Sequence, residues 1–106
     1  MIMQVAYHTK AFAFVRELDD ARGARVRRVI RLLEERGYAL RMPFSKSVAA
    51  GLFELRVVGA LQVRLLFFFH KDQAVIAHAF FKKTEALSHK DIEYAQKVRG
   101  TYMADS

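Results

Sequence analysis

Residues 51–69, Gly51-Leu52-Phe53-Glu54-Leu55-Arg56-Val57-Val58-Gly59-Ala60-Leu61-Gln62-Val63-Arg64-Leu65-Leu66-Phe67-Phe68-Phe69, hold two strand-like runs around one glycine, and their register decides the fold. Phe53, Leu55 and Val57 form one apolar face of the first run; Val63, Leu65, Phe67 and Phe69 form one face of the second. Side chains alternate along a strand, so a one-residue slip would turn a whole face to water. Odd positions must therefore pair with odd, and even with even. A three-residue turn at Gly59-Ala60-Leu61 meets that condition. The other face then carries Arg56 opposite Arg64, with Glu54 and Phe68 beside them. Like charges directly across an antiparallel pair destabilise it, and two explanations stand. Glu54 bridges one arginine while the other reaches water, or the two guanidinium groups form a fork for a phosphate, which arginine binds bidentately.

A third run, Ala74–Lys82, follows the hairpin. Its alternation places His78, Phe80 and Lys82 on one side, with Val75, Ala77, Ala79 and Phe81 on the other. If the second set faces the helices, Lys82 joins Arg56 and Arg64, and Lys83 points toward the core edge or the following loop. Cations with Phe68 and Phe80 among them, on an open sheet, suit RNA: phosphates take the charge and bases stack on the rings.

Upstream, Met3–Tyr7 alternates as a short first strand. Lys10–Leu18 sets Ala11, Phe14, Val15 and Leu18 at helical spacing, and Ala24–Arg36 repeats it with Val26, Val29, Ile30 and Leu33. Asp19, Asp20 and Gly23 separate the two, and Gly37 is a natural stop. Arg22, Arg25, Arg27, Arg28, Arg31 and Arg36 crowd the second helix and its approach. They are either a solvated face or a docking surface for RNA phosphates or an acidic partner peptide, Arg25 and Arg28 being the RNA-binding candidates. Residues 38–50, with the only proline and no sustained period, read as a loop. Ser88-His89-Lys90-Asp91 resembles a capping box with Asp in the Glu position and opens a last helix from His89 to Met103, anchored by Ile92, Ala95 and Tyr102. The order is β-α-α-β-β-β-α. It predicts an α+β fold, with a helical hairpin and a C-terminal helix packed on a small, mainly antiparallel sheet.

A chain of 106 residues without repeats or low-complexity segments reads as one domain over 1–106. The apolar runs are far shorter than the ~20 residues that span a bilayer, and no secretory signal pattern opens the chain. With no cysteine, thiolate metal sites and disulfides are excluded. The expected location is the cytoplasm. Eighteen basic against 11 acidic residues give a net charge of +7 and favour an anionic partner. His8, His70, His78 and His89 lack metal-ligand spacing, so neither metal nor cofactor is expected. His70 reads as a strand end and His78 as a hydrogen-bonded interior residue. His89 is either an exposed first-turn residue or a proton donor or acceptor for the basic face.

Three segments in order, GLFELR at 51–56, the arginine-bearing strand QVRLLFFF at 62–69, and AFFKKTEAL at 79–87, resemble the RelE/ParE superfamily of type II toxins, in particular its phage-derived HigB-like branch. The resemblance implies a RelE-like fold and a ribosome-dependent mRNA endoribonuclease (an mRNA interferase that halts translation), neutralised by a helix-turn-helix antitoxin. Its partners would be that antitoxin, the ribosome and mRNA. It implies that Arg56 and Arg64 hold the scissile phosphate and that Lys82, with Lys83 nearby, supplies the basic residues ending the last strand; Lys82 is the first candidate for the base and His89 the reserve. Two other functions stay open: a ParE-like gyrase inhibitor, and a non-catalytic RNA- or partner-binding module.

Overall fold

The computed structural model describes residues 2–60, 62–83 and 86–105. Five strands, β1 Gln4–Tyr7, β2 Ser45–Ala49, β3 Leu52–Arg56, β4 Val63–His70 and β5 Gln73–Phe81, form one sheet in the order β1-β5-β4-β3-β2. Three helices, α1 Thr9–Arg16, α2 Asp20–Arg36 and α3 His89–Ala104, complete an α+β fold, as the patterning predicts. Only β1 runs parallel to its neighbour, β5; the other pairings are antiparallel.

The odd-with-odd register of the central hairpin holds. Phe53 pairs with Phe67, Leu55 with Leu65, and Arg56 with Arg64. Leu61, in the expected turn, lies outside the described residues. Leu55, Val57, Val63, Leu65 and Phe67 pack with Ala11, Val26, Val29, Ile30 and Leu33 into a core beneath α1 and α2. At ~25 cal/mol per Å² of apolar area, each fully buried aliphatic or aromatic side chain here contributes roughly 1.5–3 kcal/mol.

Three expectations need correction. First, β5 is bulged: Leu66 pairs with His78 but Phe67 with Ile76, so Ala77 is an extra residue. A bulge reverses the parity of everything beyond it. Val75 and Ala77 therefore leave the face expected to hold Ala79 and Phe81. They join a second core of Leu52, Leu66, Phe68 and Phe80, while Ala74 and Ile76 share the first core with Ala79. Second, that second face is not open. Ala95 and Val98 of α3, with Ile92 and Tyr102 part-buried beside them, cover it. Third, residues 38–50 are not all loop. A single 3-10 turn spans Gly37–Ala39, and Ser45–Ala49 forms the edge strand β2, irregular between Ser47 and Ala49. Weak periodicity hid this short strand, whose buried residues are few.

Helix α2 begins at Asp20, ahead of the expected Ala24, and carries Gly23 inside it as a buried residue. A glycine there costs about 1 kcal/mol relative to alanine. Asp20 in the first turn offsets part of that cost through the helix dipole. At α3 the capping prediction holds: Ser88 is the N-cap and its Oγ accepts the Asp91 N–H at 3.1 Å.

Candidate functional site

The α3-facing side of the sheet carries two adjacent rows of side chains at its β2–β3 end. One row runs Lys46–Glu54–Leu66–His78, the other Arg56–Arg64–Phe80. Two backbone bonds pin the ends of these strands. Arg56 N–H donates to Phe44 O at 2.8 Å, and Lys82 N–H donates to Gln62 O at 2.5 Å, which continues the β4–β5 pairing one step beyond Phe81.

Glu54 resolves the two facing arginines. Its Oε1 accepts from Arg56 Nε at 3.3 Å and its Oε2 from Arg64 Nε at 3.0 Å. One carboxylate, 2% exposed, thus sits between both guanidinium groups. The simple bridge expected from the sequence joins Glu54 to one arginine; here it holds both. A buried charge of this kind persists only with partners, and the bidentate arrangement supplies two. Arg64 also donates from Nη1 to Val63 O at 3.3 Å. Its side chain is nearly enclosed, whereas that of Arg56 is 32% exposed.

In front of this triad lies a cleft of about 370 Å³, bounded by Lys46, Glu54, Arg56, Lys82, Leu87 and Ile92. Among the described residues, three cations and one carboxylate face it, and that carboxylate is already engaged by two arginines. The cleft is therefore cationic, and its Arg56 guanidinium is held at Nε. Such a site suits an anion with several oxygens, above all a phosphate diester. Leu87 and Ile92 give it one apolar wall from the α3 side.

The sequence-derived candidates divide accordingly. Arg56 and Lys82 meet in the cleft, as their parity indicates. Arg64 lies behind Glu54 and is not part of the cleft wall. It positions Glu54 and so, indirectly, Arg56. Lys83 is exposed and lies outside the wall. His89 is the exposed first residue of α3 and also lies outside it. Thr84 falls outside the described residues. Phe68 is fully buried against the Tyr102 ring, at 5.4 Å between centroids, and is unavailable to a base. Phe80 is buried in the same core and stacks on His78 at 4.6 Å. The stacking role expected of these two rings is therefore withdrawn: α3 occupies the face on which bases would lie.

Arg25 and Arg28 sit elsewhere, on α2 above the first core, across the sheet from the cleft. His78 is the interior, hydrogen-bonded histidine that the sequence suggests: its Nε2 lies 2.7 Å from Asp91 Oδ1, tying β5 to the first turn of α3. Lys46 went unnoticed because it belongs to β2, read as loop. No alternation marks it: Ser45, Lys46 and Ser47 are polar in succession. Among the described residues, no cluster of three His, Cys, Asp or Glu side chains could hold a metal ion, and no helix is long and apolar enough to cross a membrane.

Residues 13–99 match the family model described as phage derived protein Gp49-like (DUF891), a span that takes in the second half of α1, all of α2, β2 to β5 and most of α3. No curated protein matches the chain significantly. The chain belongs to the phage-derived Gp49-like family.

Proposed function

We propose that this member of the Gp49-like family is the toxin of a type II toxin–antitoxin pair. It acts in the cytoplasm as a ribosome-dependent mRNA endoribonuclease, and a helix-turn-helix antitoxin neutralises it. The observation that carries the reading is the cationic cleft in which Arg56, Lys82 and Lys46 surround Glu54, itself anchored by Arg64. Family membership and the net charge of +7 support it.

In this reading the scissile phosphate binds between Arg56 and Lys82. The ribose 2′-hydroxyl attacks the adjacent phosphorus, the bond to the 5′-oxygen breaks, and a 2′,3′-cyclic phosphate and a 5′-hydroxyl result. The hydroxyl proton passes to a base, for which Lys82 is the candidate in its neutral amine form, the phosphate charge then resting on Arg56 and Lys46. The leaving oxygen takes a proton from an acid that the ribosome-bound complex completes. Negative charge grows on the phosphorane oxygens, and fixed donors stabilise it; loss of one such donor typically costs roughly 3–4 kcal/mol of barrier. Arg56 suits this role because its guanidinium stays charged and is pre-aimed by Glu54. Lys46, on the edge strand, contacts the same phosphate.

The test is mRNA cleavage in a translating extract, mapped by primer extension. Arg56→Ala and Lys82→Ala should each lower cleavage by about 100-fold or more, since 1.36 kcal/mol is tenfold in rate. Unchanged cleavage in the Lys46→Ala/Arg56→Ala/Lys82→Ala triple variant would overturn the assignment.

A further inference from the structure

A second hollow, of about 630 Å³, lies beside α2 on the side of the sheet away from the cleft. Arg25, Arg28 and Arg31 form one wall at positions i, i+3 and i+6 of the helix. Val29, Leu32, Phe44 and Val58 form the apolar floor, and Glu35 adds a carboxylate to the lining. Val58 is 58% exposed, although it is aliphatic and stands beside a core strand. Among the described residues none of the three arginines is in an ion pair. Arg25 is seated over the β3–β4 turn: a methyl group at Gly59 would come within 2.7 Å of its Cζ. Arg28 and Arg31 are exposed.

From this pairing of an apolar floor with three arginines that outnumber the Glu35 carboxylate in the lining and form no ion pair with it, we infer that the groove docks an acidic amphipathic helix of a partner protein. Arg25 to Arg31 spans about 9 Å of helix axis at 1.5 Å per residue. Carboxylates spaced one and two turns apart on the partner match that span, while its aliphatic face covers Val29, Leu32, Phe44 and Val58. Nucleic acid fits less well. Phosphates would satisfy the arginines but leave Leu32 and Val58 uncovered, and Phe44, the only ring on the floor among the described residues, is half-buried. The inference rests on the groove alone and stands whether or not the cleft cuts RNA. It leaves the cleft open when the partner is bound.

The probe is a labelled, helix-forming peptide with leucines along one face and glutamates on its flank. A version with lysine for glutamate and a single-stranded oligouridine serve for comparison. Binding is followed by fluorescence anisotropy, and its location by amide shifts in two-dimensional NMR. The acidic peptide should bind, with shifts concentrated at residues 25–35, 43–44 and 58, and the lysine version should not. Arg28→Glu/Arg31→Glu should weaken binding at least tenfold, and so should Val58→Asp, made separately in case the double variant fails to fold. Arg56→Ala should leave it intact. Three results would each overturn the inference: binding indifferent to these substitutions, oligouridine shifting the groove amides in place of the peptide, or no ligand binding there.

Discussion

Replacing Glu54 by glutamine tests the centre of the site. Glutamine keeps the volume and one acceptor oxygen but removes the charge that two guanidinium groups share at 3.3 and 3.0 Å. Arg56 is exposed enough to turn toward water, where an ion pair contributes little. Arg64 is not: its side chain is 10% exposed, and without Glu54 its charge is buried and uncompensated. Stranding one member of such a pair costs about 3–5 kcal/mol. That is a large part of the roughly 5–15 kcal/mol that holds a domain folded. At about 4–8 °C per kcal/mol for a chain near this size, melting should fall by roughly 12 °C or more. The converse substitution, Arg64→Met, should cost less, because Glu54 retains Arg56 as a partner. The double variant should recover part of the Glu54→Gln loss, with a coupling of about 1.5 kcal/mol or more. Urea unfolding followed by circular dichroism measures all three. A Glu54→Gln cost below about 1 kcal/mol, or strict additivity with Arg64→Met, would refute the shared buried bridge.

Three further outcomes follow from positions away from the cleft. Gly51, at φ +69° in the β2–β3 turn, faces Arg99 so closely that an added methyl would lie 2.7 Å from Nη2; Gly51→Ala should lose more than about 1 kcal/mol in urea unfolding. Gly100 is exposed in α3 with open space around it, so Gly100→Ala should gain about 0.5–1 kcal/mol in the same measurement. The Tyr7 phenol is pushed above its ordinary pKa by burial first and by the Glu34 charge second. In the unfolded chain it ionises near ~10, so above that pH the unfolded state sheds a proton the folded state keeps. Its contribution is present below about pH 10 and is lost as pH rises through the folded value. Tyr7→Phe should flatten the alkaline fall in the urea midpoint, and an unchanged slope would show that other groups cause it.

Alternation alone determines the register of the central hairpin, because an error of one residue would expose Phe53, Leu55, Val57 and their partners together. It therefore also determines that Arg56 faces Arg64, and helical spacing determines both arms of the hairpin and the apolar face of each. The capping residues Ser88 and Asp91 mark the start of α3 for an equally local reason. Tertiary structure decides the rest. The bulge at Ala77 is invisible in a run where apolar residues occupy both parities, since either face can be buried. The covering of the second face by α3 depends on packing between distant segments, and it converts Phe68 and Phe80 from a surface for bases into core. Strand β2, too short and polar to announce itself, brings Lys46 opposite Glu54. The two arginines look equivalent along the chain. Only burial separates them, enclosing Arg64 as the anchor of Glu54 and leaving Arg56 at the cleft.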